Sequence, residues 1–274
     1  MPSSACKKKN DTRAPFAPAP IEEVTAAIRE ARPDVVFAPH VETSAGLILP
    51  DDYITALAAA AHDVGALMVL DCIASGCVWV DMKKTGVDVL ISAPQKGWSA
   101  TPAAGLVMLS ENAMQRMAET TSNSFALDLK KWHSIMAAYE NGGHAYHATM
   151  PTDSLVAFRD TMAETRDYGF EKLREAQWAL GNGVREMLAA KGIRSVAAKG
   201  FAAPGVVVSY TDDPDVQNGK KFAALGMQIA AGVPLQCDEP ADFRTFRLGL
   251  FGLDKLYDVE GTIARLKGVV DQVL

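Results

Sequence analysis

Cysteine is scarce in this chain of 274 residues, and its four cysteines are irregularly spaced. They are Cys6, Cys72, Cys77 and Cys237. Disulfide-stabilised secreted domains carry many closely spaced cysteines, and structural zinc sites use paired ligands such as C-x-x-C, a pattern that this sequence lacks. We therefore expect neither a disulfide framework nor a metal site, and we expect a reducing compartment.

Long apolar runs and an excess of positive charge are also absent. No stretch approaches the roughly 20 apolar residues of a membrane span, and the opening MPSSACKKKNDTRAP has basic residues without the apolar segment of a secretory signal. The formal net charge of -6 gives no general attraction to nucleic acid or to an anionic membrane. These observations predict a cytoplasmic protein that acts on small molecules.

The sequence does contain a regular alternation of helix and strand patterns. PIEEVTAAIREA and PDDYITALAAAAHD begin with proline and acidic residues and place apolar residues at helical spacing. Strand patterns follow at DVVFAP, ALMVLD, VDVLISA and GLVMLS. Such alternation predicts an α/β fold, typically a mostly parallel sheet with helices on both faces.

The composition becomes more helical and more charged from about residue 154. We predict an amphipathic helix over 154–192 with a break near Gly181, a strand at GVVVSY, a helix over 219–232 and a last helix at the C-terminus. The predicted organisation is an irregular lead-in (1–14), a large domain (15–165) and a smaller α+β domain (166–274).

Polar residues follow three of the predicted strands. DVVFAP continues into HVETSAG, ALMVLD ends in Asp71, and VDVLISA continues into PQKG. Ligands of open parallel sheets bind at the carboxyl ends of the strands, so these loops are expected to form one site. The residues gathered there are His40, Glu42, Thr43, Ser44, Asp71, Gln95 and Lys96. By itself, His40 is better interpreted as a packed or capping imidazole than as a base, and Asp71 as a loop cap or a metal ligand.

Lys96, in LISAPQKGW, has three possible roles. A lysine in a loop is most often solvated. A phosphate-loop lysine requires the pattern G-x-x-x-x-G-K-[ST], which is absent around Lys96. The third role is that of a lysine that forms a Schiff base with pyridoxal phosphate. This role would also account for Asp71, which stands 25 residues earlier at the end of the preceding strand. Its carboxylate would keep the pyridine nitrogen of the cofactor protonated.

Five motifs favour the third role. HVETSAG, LDCIASG, ISAPQKGW, YHAT and FRLGLFG resemble, in order and spacing, the class V aminotransferases, most closely the alanine-glyoxylate and serine-pyruvate group. The resemblance implies the type I fold of pyridoxal-phosphate-dependent transferases. It also implies transfer of an amino group between a small amino acid, alanine or serine, and glyoxylate or pyruvate by a ping-pong Schiff-base mechanism.

The resemblance assigns roles to individual residues near the strand ends. Lys96 corresponds to the Schiff-base lysine and Asp71 to the partner of the pyridine nitrogen, which makes these two the catalytic candidates. Ser44 corresponds to a contact of the cofactor ring, with Thr43 beside it as a further cofactor-binding candidate. Gln95 corresponds to a phosphate-binding glutamine.

Two later motifs add further residues. Tyr146 and Thr149 in YHAT correspond to residues that reach the phosphate of the neighbouring subunit, which implies a homodimer with shared active sites. Arg247 in FRLGLFG corresponds to the arginine that binds the substrate carboxylate, and a guanidinium can do so with two parallel hydrogen bonds. A structural ion pair is the alternative role for Arg247, and Arg244 is the competing candidate.

The chain also departs from the family pattern, because the N-terminal third with its glycine-rich phosphate loop and its ring-stacking aromatic residue is not found. We expect weak binding of pyridoxal phosphate, little transaminase activity, and an exposed apolar face and unpaired edge of the sheet. Two alternatives to an active aminotransferase follow: a truncated, weak or inactive homologue, and a cysteine desulfurase-like lyase. The lyase needs a mobile nucleophilic thiol, whereas Cys237 is better interpreted as a small buried residue.

Overall fold

The structure of the protein is a computed structural model that describes residues 13–274; Cys6 and most of the predicted lead-in lie outside the described residues. Pro20 and Pro50 precede the first two helices, whose first turns carry acidic residues, as the sequence pattern predicts. The first part of the chain forms α1 (Ile21–Ala31), β1 (Val35–Pro39), β2 (Val41–Glu42), β3 (Leu47–Ile48), α2 (Asp51–Asp63), β4 (Leu67–Asp71), α3 (Met82–Thr85), β5 (Val89–Ser92), β6 (Leu106–Leu109), α4 (Glu111–Glu119) and α5 (Leu129–Glu140).

Four of these strands form a sheet in the order β1-β4-β5-β6. The first two pairings are parallel, and β6 runs antiparallel to β5. Residues 93–105, which connect β5 to β6, contain no helix, and a parallel neighbour would require a crossover connection of the kind that a helix usually provides. The sheet is therefore mostly parallel, and β2 and β3 form a separate short antiparallel pair.

Among residues 13–274, helices pack closely on only one face of this sheet, so the cover on both faces that the sequence predicted is not observed there. Ala38, Met68 and Leu70 point to α1 and α2 and form a buried cluster with their apolar residues. On the opposite face, Val35 and Phe37 of the edge strand β1 are 49% and 58% exposed. Within the described chain, α4 and α5 approach that face only across a cavity of about 300 Å³ near the amino ends of the strands. The exposed apolar face and the unpaired edge expected from the sequence are both present.

The second part of the chain builds a smaller sheet and several helices. Its elements are α6 (Thr152–Tyr168), α7 (Phe170–Ala189), β7 (Val206–Tyr210), α8 (Pro214–Gln217), α9 (Lys220–Ala223), β8 (Ala230–Ala231), β9 (Thr245–Gly249), α10 (Leu253–Leu256) and α11 (Val259–Val273). The strands pair antiparallel in the order β7-β9-β8, and α7 and α11 pack their apolar residues against them. The predicted domain boundary at 165/166 falls inside α6 and stays a prediction. No helix within the described range is both long and apolar enough to cross a membrane.

The break in the long predicted helix lies at Gly169, so its predicted position near Gly181 was wrong. Gly169 has φ 110°, a conformation that glycine adopts readily, and it separates α6 from α7. Gly181 stays inside α7, where a Cβ atom would lie 2.6 Å from backbone atoms of Pro204. That glycine permits close packing of the helix against a loop and does not interrupt the helix.

The helix predicted over residues 219–232 was also wrong. Only the single turn α9 forms there, and Gly226 then turns the chain with φ 76°. Residues of β8 pair with β9, with Ala230 opposite Arg247. Backbone pairing with a strand that is distant in sequence therefore prevails over the helical preference of an alanine-rich segment.

Asp88, which directly precedes β5, is a buried carboxylate with four hydrogen bonds. It accepts them from the backbone N–H of Met68 (2.9 Å), His62 Nε2 (2.8 Å), Ser110 Oγ (2.9 Å) and Asn112 Nδ2 (3.0 Å). Burial raises the pKa of this carboxyl group, but the four hydrogen bonds together hold it below its usual value. The network joins α2, β4 and the start of α4.

We expect Asp88→Ala to lower the free energy of unfolding by about 3 kcal/mol, because the Met68 N–H would lose its acceptor in the interior. Asp63→Ala removes only the half-exposed ion pair with Arg29 and should cost less than about 1 kcal/mol. A carboxyl pKa depressed in the folded state stabilises the fold above its unfolded pKa, and this contribution is lost as the pH falls through the folded value. Urea unfolding at about pH 7 and about pH 3 measures both effects. Equal losses for the two variants at the higher pH would contradict the assignment.

Candidate active site

Three strand ends of the larger sheet meet at one edge. The backbone N–H of His40, after β1, donates to the Asp71 carbonyl oxygen over 2.8 Å, and the N–H of Cys72, after β4, donates to the Ile91 carbonyl oxygen over 2.7 Å. His40 Nδ1 also lies 2.7 Å from the Ser75 hydroxyl oxygen. The loops that the sequence placed at one edge are thus hydrogen-bonded to one another.

His40 is a structural residue of this edge. Burial lowers the pKa of its imidazole to about 4, so the ring is neutral near neutral pH. Its hydrogen bond to Ser75 joins the loop after β1 to the loop after β4. This is the packed imidazole that the sequence favoured over a catalytic base.

Asp71 is the last residue of β4 and is half-buried. Its Oδ1 accepts a hydrogen bond from the backbone N–H of Ile73 over 2.9 Å, which fixes the carboxylate at the start of the following loop. No hydrogen bond from residues 13–274 reaches its Oδ2. The second oxygen is therefore available to an N–H donor of a ligand.

The loop that carries Lys96 is held by a close backbone contact. A Cβ atom on Gly97 would lie 2.2 Å from the carbonyl oxygen of Gly76, so only glycine fits at this position. Cys77 Sγ lies 3.5 Å from the Gly97 carbonyl oxygen, and the Cys77 backbone N–H donates to Gln177 Oε1 over 3.4 Å. Neither the glycine contact nor Gln177 was identified from the sequence, since their partners are set by the tertiary fold.

The residues after Lys96 are anchored as well. Trp98 packs against Trp79, with ring centroids 4.8 Å apart and the ring planes tilted by 47°, and both rings contact Phe170 edge to face. Ser99 adopts φ 61°, and its hydroxyl oxygen accepts a hydrogen bond from the backbone N–H of Leu253 over 3.0 Å. The lysine loop is thus attached to both α7 and the segment that follows β9.

The Lys96 side chain is half-buried and its Nζ lies 5.4 Å from the centroid of the Phe251 ring. Among the described residues, no carboxylate forms an ion pair with this amine and no acceptor receives a hydrogen bond from it. The motif FRLGLFG predicted a role for its arginine, but nothing in the sequence indicated that Phe251 in the same motif contacts Lys96. No local pattern indicates a contact between residues so far apart in the chain.

The remaining cofactor-binding candidates have different surroundings. Ser44 donates to Glu42 Oε1 from both its backbone N–H (2.9 Å) and its hydroxyl (2.7 Å), which closes a tight turn after β2. Thr43 lies half-buried in the same turn, and Gln95 is exposed beside Lys96. These side chains lie on the loops that follow β1 and β5, as predicted, and their roles toward a cofactor stay predictions.

Arg247 lies in the middle of β9, between Val208 of β7 and Ala230 of β8. Its Nε donates to the Ala231 carbonyl oxygen over 2.7 Å. In the part of the chain that the structure describes, no carboxylate pairs with Arg247, so the structural ion pair considered from the sequence is not observed there. Arg244 precedes the strand, and its carbonyl oxygen accepts a hydrogen bond from the Thr211 N–H.

Tyr146 and Thr149 lie away from these residues, between α5 and α6. The Tyr146 hydroxyl lies 3.1 Å from the Thr149 hydroxyl, and the tyrosine is 71% exposed. No hydrogen bond or ring contact within residues 13–274 connects this pair to Lys96. Within the described residues, the YHAT motif therefore makes no direct contact with Lys96.

The cysteines provide no reactive thiol at this edge. Cys72 and Cys77 are buried, and burial raises the pKa of each thiol to about 12, which keeps both protonated. Cys237 is partly exposed, so its predicted burial is only partial. No group of three or more potential metal ligands occurs among the described residues.

Comparison with known sequences connects this geometry to one family. The sequence pattern of the family Aminotransferase class-V matches residues 16–216. The 2-aminoethylphosphonate–pyruvate transaminase of Burkholderia thailandensis is 31% identical over 268 residues, which is 93% of this chain and 68% of that protein. The corresponding enzyme of Paraburkholderia phymatum is 29% identical over 92% of this chain and 66% of its own length.

Solved structures share the fold. An alanine–glyoxylate aminotransferase from Nostoc sp. matches with a TM-score of 0.78 and 20% identity over 95% of this chain and 66% of that chain. An aspartate aminotransferase of subgroup IV from Thermus thermophilus matches with a TM-score of 0.71 and 25% identity over 90% of this chain and 68% of that chain. The chain thus spans about two thirds of the length of the relatives that it matches.

We expect Gly97→Ala to lower the free energy of unfolding by about 2 kcal/mol, because the new methyl group would collide with the Gly76 carbonyl and displace the lysine loop. Gly105→Ala is the matched control, since no atom lies within 4 Å of its added Cβ. The control should change stability by less than about 0.5 kcal/mol. Urea unfolding measures both, and an unaffected Gly97→Ala protein would show that the two loops are not in contact.

Proposed function

The chain belongs to the class V aminotransferases, a family of pyridoxal-phosphate-dependent enzymes with the type I fold, and on that premise we propose that it transfers an amino group between a small amine-bearing acid and a 2-oxo acid. The observation that carries the proposal is the setting of Lys96. Its amine is half-buried at the carboxyl edge of a parallel sheet, without a carboxylate partner among residues 13–274.

The residues present fit pyridoxal phosphate chemically. Attachment of the cofactor aldehyde needs a primary amine that is not held in an ion pair with a carboxylate. The Lys96 amine has no such partner among the described residues. A pyridine N–H needs a carboxylate with a free oxygen, and Asp71 Oδ2 is available on the adjacent strand. Ser44 and Thr43 after β2 are proposed to contact the ring, and Gln95 is proposed to contact the phosphate group.

When bound, pyridoxal phosphate supplies an aldehyde that captures amino groups and a ring that accepts electrons from the α-carbon of the substrate. The chain contributes three actions to that chemistry. Asp71 keeps the ring nitrogen protonated by accepting its hydrogen bond. Lys96 would hold the cofactor through its amine and would accept and return a proton at Nζ. Arg247 orients the substrate through its anionic group.

The substrate class follows from Arg247 and from the relatives. Its guanidinium lacks an acidic partner among the described residues, and it can bind a carboxylate or a phosphonate with two parallel hydrogen bonds. We propose alanine or serine as donor and glyoxylate or pyruvate as acceptor. The roughly 30% identical relatives act, by their names, on 2-aminoethylphosphonate and pyruvate, which makes this phosphonate a second candidate donor.

We also infer that the working form is a homodimer. The segment 121–150 carries apolar side chains that contact little of the chain, and Leu127 is 76% exposed. No residue of α5 is buried, although Met136 and Tyr139 on this helix are apolar or aromatic. A second copy that covers the segment would remove this surface from water and bring Tyr146 toward the site of its partner.

We expect pyridoxal phosphate to attach to Lys96. Borohydride reduction of the protein with the cofactor, followed by peptide mapping, should place the pyridoxyl group on Lys96, because this amine is free of an acidic partner at the strand edge. Lys96→Ala should lose the label, whereas Lys83→Ala, a change on α3, should retain it. Labelling of Lys83 or Lys130 in place of Lys96 would reject the assignment.

We expect Arg247→Ala to lower kcat/KM by about a hundredfold or more, because the substrate anion would lose a charge-assisted pair of hydrogen bonds. Cofactor attachment to Lys96 should not change. Arg244→Ala is the matched control, and the reverse result would show that Arg244 is the substrate arginine.

Assays with alanine plus glyoxylate, serine plus pyruvate, and 2-aminoethylphosphonate plus pyruvate identify the donor. A labelled wild-type protein without turnover on any pair would favour the inactive homologue.

A further inference from the structure

The face of an aromatic ring is the electrostatic partner of Lys96. Its Nζ lies 5.4 Å from the Phe251 centroid, within the roughly 6 Å over which the negative face of a ring attracts a cation. Among residues 13–274 the amine has neither an ion pair nor a hydrogen bond that would compete with this contact. The contact joins residues from the two parts of the chain.

The ring itself is held in place by glycines. A Cβ atom on Gly205 would lie 2.9 Å from Phe251 Cε1, and one on Gly249 would lie 3.8 Å from Cδ2. The backbone N–H of Leu250, the residue before Phe251, donates to the Gly205 carbonyl oxygen over 2.9 Å. A side chain at position 205 would displace the ring, so packing against Gly205 fixes the position of the ring just after β9.

The lysine backbone is fixed independently of the ring. The contact of Gly97 with Gly76 and the hydrogen bond from Leu253 to Ser99 hold the residues that follow the lysine, and the backbone N–H of Ala100 donates to the Pro94 carbonyl oxygen over 3.0 Å across the lysine. The remaining freedom of Lys96 is therefore that of its side-chain torsions. A contact at Nζ is what limits them.

We propose that Phe251 is a positioning residue for Lys96, an inference that rests on the proposed function. The ring holds the amine at the site by a weaker attraction than a carboxylate would exert, so less interaction energy is lost when the amine leaves the ring to react with an aldehyde. A carboxylate at the same place would retain the ammonium by a full ion pair. Phe251 also follows Arg247 by four residues and lies just after the end of β9, so this short segment sets the relative positions of the ring that holds the amine and of the substrate guanidinium.

The test measures the free amine of the protein without cofactor. A small acylating reagent is applied, and the labelling rate of Lys96 is read by mass spectrometry against Lys83 and Lys130 as internal references. Phe251→Leu should raise the Lys96 rate about threefold or more, because the ring no longer covers and attracts Nζ. Phe251→Tyr keeps the ring and should stay near the wild-type rate. Phe243→Leu, which alters another aromatic contact of the smaller sheet, is the matched control and should leave the rate unchanged.

A second variant separates the ring's electrostatics from its packing. Trifluorinated phenylalanine at position 251 keeps nearly the same shape but weakens the negative face of the ring. Its Lys96 rate should lie between those of the wild-type protein and Phe251→Leu, even if the leucine variant unfolds. A fluorinated protein that labels like the wild type would overturn the proposal. Borohydride labelling of another lysine in the wild type would instead reject the proposed function.

Discussion

The arrangement of the candidate site depends on one buried amide, that of Gln177 on α7. Its Nε2 donates to the carbonyl oxygens of Pro204 (3.2 Å) and Leu250 (3.3 Å), and its Oε1 accepts from the Cys77 N–H (3.4 Å). Each of these backbone groups would cost on the order of 1–3 kcal/mol if it were left unpaired in the interior. The amide therefore fixes the loop after β4 against the segment at the end of β9. The fit is close, because a Cβ atom on Gly76 would lie only 2.6 Å from the Gln177 Oε1 atom.

The charges at the site are left for ligands. Lys96 and Arg247 have no carboxylate partners among the described residues, while the imidazole of His40 is neutral because it is buried. Asp71 retains one oxygen without a hydrogen bond from that part of the chain. Away from the site, the buried Asp88 is fully hydrogen-bonded, and Arg29 pairs with Asp63 at the surface. Charged groups without a carboxylate or hydrogen-bond partner at the strand ends are typical of a site that binds an anionic substrate and a charged cofactor.

Two of the exposed apolar surfaces in the described chain are the outer face of β1 and the segment 121–150. A strand with an unpaired edge and exposed apolar side chains is prone to association, and so is an apolar helix that packs against little of its own chain. The two surfaces differ in character. The first offers backbone groups to a further strand, whereas the second offers side chains alone, which is the surface that we assign to a second copy.

The sequence by itself determined the local elements and their order. Helical spacing with proline and acidic first turns predicted α1 and α2, and apolar runs predicted β1, β4, β5 and β6, because these signals lie within a few residues of one another. Because both residues follow or end a predicted parallel strand, the sequence also placed Asp71 and Lys96 at the same edge of the sheet. Tertiary structure alone decided the antiparallel direction of β6, the helix break at Gly169 and the strand in place of a helix near residue 230. It also decided the contact of Phe251 with Lys96, since the partner of a side chain distant in sequence is selected by packing and backbone hydrogen bonding across the whole fold, which no local pattern encodes.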